Sequence, residues 1–225
     1  MIERSMSLNE AMHLEPLTEL ALRRYTLREV NGELTFDALG ENAVKDVQFV
    51  VDLINFYTEP KAAQIGQFKQ YSLGVIMDYL RRTHEFYSLR MLPRMEMAIQ
   101  SIQQTFSDHP IVGILDHFYK NYQNELLEHI ELEENRLFPY AEELYDGKFS
   151  SDYSIKEFVR HHNHNIEDHL QDVLKLIEED YPEVSRSFAY RSFKLLLNQF
   201  KADLKIHHLI EESIFLPKVL MLECS

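Results

Sequence analysis

Two stretches of the chain carry the same spelling of ligand-type residues. His129-x-x-x-Glu133-x-x-x-x-Phe138-Pro139 recurs as His207-x-x-x-Glu211-x-x-x-x-Leu216-Pro217. On a helix, a separation of four puts an imidazole and a carboxylate one turn apart on one face, where both can reach a common centre. Each pair also continues an apolar stripe: Leu115, Phe118, Tyr122 and Leu126 lead to His129 and Glu133, and Phe193, Leu197, Phe200 and Leu204 lead to His207 and Glu211. Polar groups that extend a buried stripe demand a compensating partner, and a metal ion is one.

Two more histidines stand in comparable rows. His84 follows Leu73, Met77 and Leu80 and precedes Tyr87 and Met91, while His162 aligns with Ile166, Leu170, Val173 and Ile177. In the cluster His161, His162, Asn163, His164, an unbroken helix favours His162 and leaves His164 in reserve. The candidate metal ligands are therefore His84, His129, Glu133, His162, His207 and Glu211. Imidazoles with two carboxylates suit a redox-capable first-row metal, with iron the leading candidate, and a pair of bridging carboxylates suits two ions. Zinc accepts the same donor types.

Other constellations fit less well. None of these four histidines has Glu three residues before it, the spacing of ferritin-like carboxylate sites. His84-Glu85 is followed by Ser88 where a zinc-protease helix needs a second histidine. His208 with Glu212 is a one-residue shift of the second repeat, but counting back from Pro217 as from Pro139 selects His207 and Glu211. His13, His109 and His117 read as solvated, Tyr87, Tyr122 and Tyr140 as core packing, and the acidic run Glu131 to Glu134 as a solvated face apart from Glu133.

The elements that position these residues read as helices. Four windows with helical periodicity, 73–104, 110–145, 152–179 and 185–222, are separated by Asp108-His109-Pro110, Asp146-Gly147 and Tyr181-Pro182. Long helices with short connections predict an all-α fold whose residues 71–225 form an antiparallel four-helix bundle with its site inside. Residues 1–70 read as a small helical domain, with helices suggested by Leu14, Leu17, Leu20 and Ala21 and by Val47, Val50, Val51, Ile54 and Phe56. Thr35 is a candidate cap, and Glu59 to Tyr71, with Pro60 and Gly66, reads as the linker.

Composition narrows the classes of function. Six Gly, seven Pro and no Trp in 225 residues supply too little turn punctuation for an all-β fold. One cysteine, Cys224, excludes an intrachain disulfide or a Cys-based cluster and suits a reducing cytoplasm. A net charge of -14, spread along the chain, disfavours nucleic acid and anionic lipid as partners. No apolar run approaches the roughly 20 residues of a membrane span, and Met1-Ile2-Glu3-Arg4 does not open a signal peptide, so a soluble, unprocessed chain is expected.

On His84, on His129 with Glu133 before Phe138-Pro139, on a histidine in 161–164, and on His207 with Glu211 before Leu216-Pro217, residues 73–222 resemble the hemerythrin-like, cation-binding family. The closer resemblance is to its di-iron proteins that repair iron centres after nitrosative and oxidative damage. It implies two iron ions in a four-helix bundle, terminal histidines and bridging Glu133 and Glu211. It also implies oxygen or nitric oxide as small ligands, and a damaged iron–sulfur protein or a signalling partner. The first third is similar to the small helical domain of the repair proteins, whose Cys-Cys-Gly-Gly turn is replaced here by Glu29, Val30, Asn31, Gly32. Iron-centre repair or iron donation is the function this implies. An oxygen or nitric oxide sensor or carrier signalling through the N-terminal domain is the alternative, and a metal-free helical interaction protein is the third reading.

Overall fold

The computed structural model describes residues 1–15, 18–25, 32–39, 44–58, 62–148, 154–155, 158 and 168–224. Among them the protein is helical and has no β-strand, only an isolated antiparallel bridge between Ser7 and Thr35. In chain order the α-helices are α1 (Leu8–Leu14), α2 (Thr18–Arg24), α3 (Val47–Thr58), α4 (Leu73–Phe86), α5 (Leu92–Thr105) and α6 (Pro110–Leu132). They continue with α7 (Phe138–Tyr145), α8 (Asp168–Asp180), α9 (Pro182–Ser185), α10 (Phe188–Ile210) and α11 (Leu216–Glu223). Short 3₁₀ helices occupy Phe36–Ala38 and Ala62–Gln70, and wider π turns occupy Tyr87–Met91, Glu133–Leu137 and Glu211–Phe215. The expected break residues act as such. Pro110 and Pro182 open helices, where a missing N–H costs nothing, and Gly147, at φ 73°, closes α7 in the left-handed conformation that glycine tolerates.

The chain divides into two compact units, one of residues 1–86 with 204–225 and the other of residues 87–203. In the first, Ser7 and Glu10 form a capping box that starts α1, satisfying two of the donors a helix end leaves open. Thr35 stands at the N-cap of Phe36–Ala38, but its side chain makes no capping bond, and the segment is held instead by its backbone pairing beside Ser7. Gly32 allows Asn9 to approach, since a Cβ there would lie 2.2 Å from the Asn9 amide oxygen.

An aromatic cluster forms the interior of this unit. Phe49 meets Phe68, Tyr71 and Tyr79 at ring-centroid distances of 5.7, 5.0 and 5.6 Å, and Phe56 meets Phe68 at 5.4 Å. The stretch read as a linker thus contributes core: Ala62–Gln70 is helical, and Phe68 is completely buried. Gln67, Lys69 and Gln70 mark its solvent side. Truncating such a phenylalanine costs about 3–5 kcal/mol, which no linker residue would. Lys218 on α11 donates to the Lys69 carbonyl at 2.9 Å, tying the C-terminal helix to the same segment.

In the second unit α5, α6, α8 and the first part of α10 pack together. Tyr119 donates its hydroxyl to the Leu92 carbonyl at 2.9 Å and meets Phe193 edge-on at 5.9 Å. Tyr190 donates to the Leu174 carbonyl at 3.3 Å and to Glu178 at 3.1 Å. On α6 Leu115, Tyr122 and Leu126 of the expected stripe are buried, while Phe118 is only half-buried and Tyr119, next to it, is buried instead. Burial pushes the phenols of Tyr119 and Tyr190 upward, and carboxylates nearby, Glu96 and Glu178 respectively, add to the effect.

Candidate metal centre

In the first unit, α4 carries His84 and the last turns of α10 carry His207; both are buried. Their rings lie 5.1 Å apart at 58°, and each offers a ligand atom within 4.8 Å of the other. Glu211, one turn after His207, has no exposed surface, and its Oε2 lies 3.9 Å from His207 Nε2. That gap exceeds hydrogen-bond reach. It falls within the roughly 4.2 Å spanned by two ligand bonds of about 2.1 Å to one ion.

In the second unit α6 carries His129 and the following π turn opens with Glu133, again with no exposed surface. His129 Nε2 lies 2.8 Å from Glu133 Oε1, within ion-pair distance but not aligned as a hydrogen bond between the two atoms. The protein therefore has buried His and Glu groups that could hold a metal ion. A set of imidazole nitrogens and carboxylate oxygens in apolar surroundings fits a first-row divalent metal, iron and zinc included.

The backbone at both pairs is built the same way. Phe138 N–H donates to the Glu133 carbonyl and Leu216 N–H to the Glu211 carbonyl, each five residues back instead of four. The next residue, Pro139 or Pro217, has no N–H to offer, so the apolar-Pro step removes a donor that would otherwise compete for the carbonyls of the widened turn. The extra residue turns the helix face by about 100° relative to an unbroken α-helix. Spacing alone had linked Glu133 to Phe138-Pro139 without showing why the count mattered.

A third π turn escaped that reading. Tyr87–Met91 is followed by Leu92-Pro93, the same apolar-Pro step at the same distance, but Thr83 and Tyr87 stand where the other two copies have His and Glu. Only the proline step repeats, and His84 sits one residue out of phase with it.

The remaining candidates separate clearly. His208 is half-buried and Glu212 exposed, beside buried His207 and Glu211. Of the acidic run, Glu133 is buried while Glu131 is exposed and Glu134 half-buried. Tyr87, Tyr122 and Tyr140 are buried, the first two meeting Phe200 edge-on at 4.8 and 6.2 Å. His13 and His117 are exposed. His109 is a cap: its Nδ1 accepts from Ile111 N–H, and its Nε2 lies 3.2 Å from Glu183. One Glu-x-x-His spacing occurs elsewhere, Glu10 to His13, but Glu10 is held by the Ser7 backbone and hydroxyl, whose hydrogen bonds keep its carboxyl below the usual range. His162 and its reserve His164 lie outside the described residues, as do Glu29, Val30 and Asn31.

No protein-family model matches the chain, and no curated protein matches it. The site thus stands on its own residues. Among the described residues no helix is long and apolar enough to cross a membrane.

Proposed function

We propose that this chain is a non-haem di-iron protein of the oxidative and nitrosative stress response, working in iron-centre repair or iron donation with reactivity toward oxygen or nitric oxide. The observation that carries the reading is the pair of His-x-x-x-Glu units whose glutamates are both completely buried and both open a π turn. In this reading residues 71–225 are a hemerythrin-like four-helix bundle following a helical domain of residues 1–70. The ligands are His84, His129, Glu133, His162, His207 and Glu211. A diferrous pair supplies electrons and an open coordination position to a diatomic ligand.

The protein's own contribution is charge and exclusion of water. Neutral imidazoles offer lone pairs without adding charge, and Glu133 and Glu211 offset two of the four positive charges of a diferrous pair. Burial keeps both carboxylates from water, which strengthens their hold on cations relative to a surface site. The excess of acidic residues favours encounter with ferrous ions.

The test is metal content per chain by mass spectrometry on protein from iron-supplemented cells, read beside its ultraviolet–visible spectrum. Two irons, reaction with oxygen or nitric oxide, and restoration of a damaged cluster are the expected results. One zinc, or no metal after reconstitution, overturns the reading; in the second case a helical interaction protein is the better account. One observation favours the sensor or carrier form of the same chemistry: Cys224 is the single cysteine, so the Cys pair of the repair proteins is absent. Reversible oxygen binding without turnover is its signature.

A further inference from the structure

Arg24 is a buried cation that the reading above does not use. It ends α2, where its Nη1 donates to the Leu20 carbonyl at 3.1 Å, an ordinary role for a basic residue in a last helical turn. The rest of its environment is unusual for such a residue. Only 4% of it is exposed, and its guanidinium carbon lies over the rings of Tyr57, Tyr79 and Phe86 at 5.6, 5.7 and 5.3 Å. Its Nε donates to Thr83 Oγ1 at 2.9 Å, and that hydroxyl donates to the Tyr79 carbonyl at 2.7 Å.

A methionine would fill much of this space without the cost of desolvating a charge, so packing alone gives no reason for arginine here. What it touches leads to the histidines. Thr83 immediately precedes His84 on α4, and the Tyr79 ring lies 6.5 Å from the ring of His207, which in turn faces His84 at 5.1 Å. One rigid, planar group therefore grips both the backbone turn that presents one imidazole and the ring that packs against the other. All of these residues belong to the first unit.

We propose that Arg24 is a positioning residue for metal binding at the His84 and His207 pair, holding both rings from the N-terminal segment through Thr83 and Tyr79. The proposal rests on the metal-binding reading and gives the N-terminal helices a part in it. Outer groups that orient ligands change metal affinity by about 10–100-fold when removed.

The experiment uses the full chain and cobalt(II), whose visible bands report ligand geometry without any turnover. Arg24→Gln is expected to weaken cobalt(II) binding by about 10–100-fold and to shift those bands. Thr83→Val, which keeps shape and removes the hydroxyl, is expected to shift the bands in the same direction with a smaller loss. Arg24→Lys is expected to leave the defect in place, because one compact ammonium cannot both donate to Thr83 and keep the contacts a guanidinium makes with three rings. If Arg24→Gln does not fold by circular dichroism, Thr83→Val decides. A lowered melting temperature with unchanged cobalt(II) affinity and bands in the folded variants overturns the positioning role, as does full restoration by lysine. Failure of the unsubstituted chain to bind cobalt(II) at all strikes instead at the metal reading beneath the proposal.

Discussion

His129-Glu133 and His207-Glu211 share a spelling and a backbone but not a side-chain geometry. Both glutamates open π turns closed by a bond five residues back, and both turns run into an apolar-Pro step. Yet the first pair is closed at 2.8 Å, while the second stands at 3.9 Å. The difference follows from company. In the first unit the His207 ring lies beside His84 at 5.1 Å and Tyr79 at 6.5 Å, two ring neighbours from α4. His129 turns onto its own carboxylate. Local spelling governs the turn, where bonds are made within a few residues, and tertiary neighbours govern where the rings come to rest.

The largest test of this comparison removes the shared element. Glu133→Ala and Glu211→Ala are each expected to lower ferrous affinity by more than the roughly 100-fold upper range of outer-group changes, measured by competition with a chelator. Loss in only one of them would show that the two repeats are not equivalent in binding. A double-mutant cycle in metal-free protein sharpens the difference instead. By urea unfolding, His129 and Glu133 should couple by about 1–3 kcal/mol, and His207 and Glu211 by less than about 0.5 kcal/mol. Equal couplings would mean that the 2.8 and 3.9 Å separations do not describe two different interactions.

Smaller effects serve as controls. Ser7→Ala should cost about 1 kcal/mol through the lost cap and leave metal affinity at both repeats unchanged. Its pH signature has a definite sign. The Ser7 backbone N–H first, and its hydroxyl second, hold the Glu10 carboxyl below its ordinary 4.5, so their contribution is present above pH 4.5 and is lost as pH falls through the folded value; the variant keeps the N–H and removes only the hydroxyl, so the acid limb of a stability–pH curve should flatten in part. Smallest of all, Pro139→Ala and Pro217→Ala restore an N–H that can rebuild the α-helical bond. Each should change stability by about 1 kcal/mol or less and, by amide hydrogen exchange, should alter protection around Phe138 and Leu216 to a similar degree. A response at one proline alone would break the claim that the two turns are built alike.

The burial of most candidate ligands was legible in spacing because apolar stripes on a helix repeat at the same period as the His-x-x-x-Glu spacing. His84, His207, Glu133 and Glu211 are buried where their stripes placed them, and counting from Pro217 chose His207 over half-buried His208. Phe68 was hidden by the polar residues around it, since a 3₁₀ stretch buries too few positions to show a clear period. Leu92-Pro93 was missed because Thr83 and Tyr87 replace the ligand residues that drew attention to the other two copies. Arg24 gave no signal: an arginine in a last helical turn looks solvated until three rings from distant positions close over it.

By itself the amino-acid order determined the helical class, the break points at Pro110, Gly147 and Pro182, and the two His-x-x-x-Glu faces. These depend on interactions within about one turn of chain, where identity and spacing suffice. Only the tertiary structure decided that His207 lies against His84 and Tyr79, that Arg24 reaches Thr83 fifty-nine residues away, and that Phe68 belongs to a core. Contacts of that kind depend on which distant faces pack together, and a local pattern carries no record of its eventual neighbours.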